Sequence, residues 1–213
     1  MASISINVFD PQPGKNAEAL HLLKEAQEVI SAFGARVQVA QLVRGGTPGQ
    51  NSLIVENDDP ESHGALLDKL YADQGFQQFM SRVQAAAVAT PVRSVDYQEI
   101  PGCELSFQEI ASAGVILASL FVVREGKQQQ SLDRIQRWKT LMNKHGAKVR
   151  ALQASVSDPF GLTASVAYFE NFSQWGRIGK ALGADREWQA FAAEIRGADA
   201  SADFLRTSLF RIV

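Results

Sequence analysis

The chain has 213 residues, of which 46% are hydrophobic and 21% charged, and a net charge of −2. This length suits one large or two small globular domains, with enough chain to bury a core unaided by disulfides. The near-neutral charge, with Lys and Arg dispersed, offers no basic stripe to a phosphate backbone, so no nucleic-acid partner is expected. A single cysteine, Cys103, excludes an intrachain disulfide and fits a reducing, cytoplasmic setting. The longest apolar run, near residues 114–123, is too short to cross a bilayer, so no membrane association is expected. The first residues alternate like a strand rather than forming a signal peptide.

In chain order, Ile4, Ile6 and Val8 alternate with Ser3, Ser5 and Asn7, which predicts a strand. Leu20, Leu23, Ala26, Ile30 and Phe33 recur at spacings of three or four, the mark of a helix with one buried face. Gly34 follows that stripe, where a left-handed residue commonly ends a helix. Strands are expected at 36–44 and 52–56, joined by a tight hairpin at Gly45-Gly46-Thr47-Pro48-Gly49. A second helical region, 60–88, carries the stripe Leu66, Leu70, Phe76, Phe79 and Val83. It is broken near Asp73, whose carboxylate can cap a new helical turn. A strand at 92–100 completes the series.

The same series then recurs. Residues 14–83 align with 126–195 without a gap, at a constant offset of 112. Gly34-Ala35-x-Val37 matches Gly146-Ala147-x-Val149, and Gln41 matches Gln153. The second series opens with an apolar strand at Val115–Val123 and ends with one at 205–213. A long-period repeat specifies architecture before it specifies chemistry. Strand, helix, strand, strand, helix, strand, twice, predicts an α+β fold of two tandem ferredoxin-like βαββαβ units. The expected division is repeat 1 at 1–100, a linker at 101–114 and repeat 2 at 115–213. Each unit has helices on one sheet face and must cover the other. The sister unit is the simplest cover, giving a barrel within one chain. Pairing with the units of a second chain buries the same faces, so a pseudo-twofold monomer and a homodimer both remain open.

Two matched stretches carry a family resemblance: Asp73-x-x-Phe76-Gln77-x-Phe79 and Asp185-x-x-Trp188-Gln189-x-Phe191. With the Gly-Lys pair ahead of each first helix, they resemble the dimeric α/β-barrel superfamily, in particular its antibiotic-biosynthesis-monooxygenase-like and NIPSNAP-like domains. The resemblance covers nearly the whole chain and implies two ferredoxin-like units packed sheet to sheet. That superfamily includes cofactor-free oxygenases, haem-binding and haem-degrading enzymes, isomerases, dehalogenases and proteins without known activity. Its haem-degrading members use an Asn on the first strand with a Trp and a His in the pocket. Here Asn7 is on the first strand, but Ser119 replaces it in the second unit, and neither second helix has a His in its body. No cofactor is therefore expected.

Chemical signals from the residues themselves are sparse. His21, His63 and His145 are far apart and have no Cys, Asp or Glu at ligand spacing, so no metal site is expected. His21 and His63 read as surface or structural residues, and His145 as a partner for the last carbonyls of its helix. Cys103, beside Glu104, reads as an inert thiol. The glycine-rich segment at 45–49 joins two strands and lacks the helix N-terminus that binds phosphate. The positions of interest are polar residues that could line a barrel. If Ile4, Ile6 and Val8 meet the helices, Ser3, Ser5 and Asn7 point inward, with Val115, Leu117 and Ser119 as their counterparts. Gln41 and Gln153 recur as a polar pair, Tyr97 answers Phe210, and Arg206 is matched by Arg93. The weak candidates for ligand contact are thus Asn7, Gln41, Tyr97, Ser119, Gln153 and Arg206. Two functions follow: binding of a small apolar or aromatic molecule, as in a cofactor-free monooxygenase-like enzyme, or a non-enzymatic assembly role with a closed interior.

Overall fold

The computed structural model describes every residue except 48, 157, 158 and 160. The hairpin reading of 45–49 and its counterpart at 157–161 therefore lies partly outside the described residues. The first half contains β1 (Ser3–Pro11), α1 (Asn16–Ser31), β2 (Arg36–Arg44), β3 (Asn51–Asn57), α2 (Pro60–Ala72), α3 (Gln74–Ala86) and β4 (Ala89–Glu99). After a short α4 (Phe107–Ile110), the second half contains β5 (Val115–Val123), α5 (Gln128–Lys144), β6 (Lys148–Val156) and β7 (Leu162–Phe169). It ends with α6 (Phe172–Ala184), α7 (Arg186–Ile195) and β8 (Ala202–Ile212).

The eight strands form a closed antiparallel barrel in the order β1-β3-β2-β8-β5-β7-β6-β4. Each half supplies a ferredoxin-like sheet with its β2 and β4 equivalents at the edges. The resemblance implied sheets packed face to face. The halves are in fact also joined edge to edge, by backbone pairing of β2 with β8 and of β4 with β6. Closure removes every exposed strand edge, and it is achieved within one chain.

The helices cover the outside. Leu23, Ala26 and Ile30 of α1 meet Val37, Val39, Leu53 and Val55, with Leu66, Leu70 and Phe79 closing the same cluster. Ile178, Leu182 and Phe191 are buried at equivalent positions in the second half. The expected breaks are present. Asp73 accepts from the Phe76 amide at 2.7 Å, and Asp185 from the Glu187 amide at 2.8 Å. Gly34 and Gly146 adopt φ of 96° and 83° just past α1 and α5.

Two expectations change. The segment 101–114 does more than connect. Ser106 and Glu109 form a reciprocal cap that starts α4. Ile110 is fully buried, and Leu105 and Phe107 pack beside it against the barrel interior. Burying such an isoleucine contributes about 1.5–3 kcal/mol, so this segment acts as a plug. The facing of the first strands is also reversed. Ile4, Ile6 and Val8 point into the barrel, as do Ile116, Ala118 and Leu120. Alternation separates the two faces of a strand without saying which is the drier. Both faces are covered here, and the barrel interior takes the more apolar set.

Candidate functional site

Cross-strand register stacks the interior in layers. The lowest layer places Ile4 opposite Glu56 and Tyr97, and Ile116 opposite Tyr168 and Phe210. The middle layer places Ile6 opposite Ile54 and Val95, and Ala118 opposite Val166 and Ser208. The top layer places Val8 opposite Ser52 and Arg93, and Leu120 opposite Ala164 and Arg206. Between them lies a cavity of about 80 Å³, room for several waters at roughly 10–15 Å³ each. Its walls are mainly aliphatic, with Tyr97, Tyr168 and Phe210 as the aromatic members.

One end is sealed by paired charge. Arg150, 1% exposed, donates from Nη1 to Glu56 Oε2 at 2.7 Å and from Nε to the Tyr168 hydroxyl at 2.8 Å. Its Nη1 also lies 3.9 Å from Glu99 Oε1. Glu99 in turn accepts from the Ala2 and Leu105 amides, which ties the plug segment to this cluster. Burial opposes the charge on Arg150, but Tyr168 and Glu56 beside it more than compensate and hold its basicity above the ordinary value. Burial pushes the Tyr168 phenol upward, against the pull of Arg150.

The opposite end is different. Arg93 and Arg206 occupy the same layer, one from each half, and both are partly exposed. Among the described residues neither guanidinium has a hydrogen bond or an ion pair. Burial and the neighbouring charge of Arg93 lower the basicity of Arg206, with Tyr97 opposing. Burial raises the Tyr97 phenol, against the pull of both arginines, so Tyr97 is protonated at neutral pH and available as a donor. Ser52, 3% exposed, has a hydroxyl without a partner and lines the same cavity. The rim beyond carries exposed Val92, Val156, Phe204 and Leu205 at the starts of β4 and β8 and the end of β6.

Of the six residues singled out from sequence, Tyr97 and Arg206 line the cavity. The other four face outward. Asn7 accepts from the Ser94 hydroxyl at 2.7 Å, and Ser119 shares a hydrogen bond with Thr207 at 2.7 Å. Gln41 accepts from Arg211 Nε at 3.0 Å and donates to Asn16 at 3.4 Å, spanning the β2–β8 seam. Gln153 is exposed. Arg150, Glu56 and Ser52 escaped the sequence reading. The signal for Arg150 was a charge inside the otherwise apolar run Val149 to Leu152.

The remaining polar residues are engaged elsewhere. His63 accepts from Asn57 Nδ2 at 3.1 Å and lies 3.3 Å from the Ser5 hydroxyl, which is also bonded to Asp96. His145 contacts Asp185 at 2.7 Å rather than the carbonyls of its own helix, because the α6–α7 corner brings that carboxylate to it. His21 is exposed. None of the three lines the cavity, so this chain offers no imidazole there to a haem iron. Cys103 is fully buried, and burial pushes its thiol upward, which keeps it inert.

The barrel has close counterparts among solved structures. An anthrone oxidase-like protein superimposes with a TM-score of 0.63 at 14% identity, covering 100% of this chain and 91% of the other. A candidate monooxygenase from Fusobacterium nucleatum superimposes with a TM-score of 0.68 at 9% identity, covering 99% and 92%. The chain has the dimeric α/β-barrel fold. A chlorite dismutase variant from Candidatus Nitrospira defluvii shares it more distantly, with a TM-score of 0.57, 9% identity and coverage of 100% and 91%. No family model and no curated protein matches the sequence. Among the described residues, no helix is long and apolar enough to cross a membrane.

Proposed function

We propose that the barrel cavity binds a small apolar or aromatic molecule and that the protein acts on it as a cofactor-free, monooxygenase-like enzyme. The observation that carries this reading is the cavity itself, an apolar chamber sealed at one end, with Tyr97 on its wall and Arg206 at the other end. Solved structures with this fold that are named as anthrone oxidase-like or as a candidate monooxygenase support it. In such a reaction a ring-activated CH₂ group loses two hydrogens and gains one oxygen atom. The second oxygen atom leaves as water, so the substrate supplies all the electrons. The protein's part is to exclude water and to place hydrogen-bond donors at developing negative charge. Tyr97 and the two arginines fill the second role. Residues 1–100 and 115–213 would be the two repeats that build the chamber between them.

Oxygen uptake by pure protein supplied with anthrones and quinols tests the reading. Uptake is expected, with Tyr97→Phe and Arg206→Met slower by at least about tenfold and Asn7→Ala unchanged. Absence of uptake, together with no ligand in a broad panel raising the melting temperature, would favour the non-enzymatic role.

A further inference from the structure

Arg93 and Arg206 are an energetic anomaly. Two like charges face the same small cavity at the same level, with no carboxylate to balance them among the described residues. The same barrel shows the alternative at its other end, where Arg150 is bonded to Glu56 and Tyr168 and lies near Glu99. Unpaired cations beside an apolar chamber cost solvation and repel each other. Their pairing across the halves, Arg93 on β4 and Arg206 on β8, makes a two-pronged cationic clamp. Ser52 adds a buried hydroxyl without a partner in the same layer. Among the described residues the cavity lining holds no carboxylate or imidazole. Glu56 and Glu99, beside its sealed end, are tied to Arg150, Arg36 or backbone amides.

We infer that the cavity selects an anionic ligand, an apolar ring bearing one ionised oxygen group that is clamped between Arg93 and Arg206. The ring enters the aliphatic chamber and the charge stays at the mouth. With no free base in the chamber, the ligand arrives already ionised rather than being deprotonated inside. Guanidinium groups suit this role because they stay charged at all working pH values and present several donors to one oxygen group. This inference rests on the binding cavity proposed above and adds the charge of what it holds.

Benzoate and benzamide, matched in size and different in charge, provide the test by isothermal titration at low salt. Benzoate should bind at least about tenfold more tightly than benzamide, the usual scale of a charged hydrogen bond. Arg93→Met and Arg206→Met should each remove most of that preference, weakening benzoate far more than benzamide. The charge-keeping Arg206→Lys should retain part of it, and the surface control Arg177→Met all of it. Circular dichroism of each variant establishes that it is folded. Benzoate affinity should hold from pH 6 to 9 and fall only as the probe itself becomes protonated. Equal affinity for both probes would overturn the inference while leaving the binding cavity standing. Binding of neither would overturn both. A benzoate preference that survives loss of both arginines would overturn the clamp.

Discussion

Arg150 at the sealed end and the Arg93–Arg206 pair at the open end place the same group in the same barrel with opposite surroundings. Arg150 is buried and answered by carboxylates and a phenol, and one of those carboxylates, Glu99, is held by the plug segment. Arg93 and Arg206 are partly exposed, line the same cavity from opposite halves and, among the described residues, have no ion-pair partner. The difference separates a charge kept for structure from charges kept for a ligand. A buried ion pair is strongly interdependent, because removing one member strands the other. An unpaired cation at a cavity mouth supports nothing else, so its removal leaves no orphan.

Removing Arg150 should break the comparison most visibly. Arg150→Met leaves buried Glu99 without a counter-charge and Glu56 with only the longer contact to Arg36 at 3.5 Å, so a loss of about 3–5 kcal/mol in denaturant unfolding is expected. A loss under about 1 kcal/mol would show that the sealed end does not depend on its charge cluster. Sensitivity at the open end should be confined to its backbone. Gly45, φ 86°, lies where β2 meets β8, and a Cβ there would collide with the Thr207 carbonyl oxygen. Gly45→Ala should therefore cost about 3 kcal/mol, and a melting curve matching that of the parent protein would contradict the seam geometry. Tyr168→Phe sharpens the sealed end by deleting one hydrogen bond to the charged Arg150. About 2 kcal/mol should be lost, with the fold intact by circular dichroism. The smallest effect, and of opposite sign, belongs to Arg206→Met. It relieves repulsion from Arg93 and should leave stability unchanged or raise it by up to about 1 kcal/mol. A loss as large as that of Arg150→Met would erase the distinction between the two ends.

Much of the fold was legible because it is written in periodicities. The stripes at Leu23, Ala26, Ile30 and at Ile178, Leu182 specify buried helix faces wherever those helices pack. Asp73 and Asp185 announce their helix starts through chemistry that is local to three residues. Tyr97 and Arg206 emerged because they sit in matched last strands. Asn7 and Ser119 misled because strand alternation has two solutions related by one residue of register. Ser52 and Arg150 were hidden for another reason. A serine without a partner and an arginine with three are indistinguishable until other strands supply, or withhold, their neighbours.

The sequence by itself determined the order of elements, the doubling of that order and the need for each sheet to cover an open face. These follow from hydrophobic periods and capping residues, which act over a few residues of chain. Only the tertiary structure decided that the covering is a hydrogen-bonded barrel, that 101–114 plugs one end and which strand faces point inward. It alone brings Arg93 and Arg206 to one cavity and Arg150 to Glu56, between residues about a hundred apart in sequence. Charge interactions depend on distance in space and on burial, and neither is set by position along the chain.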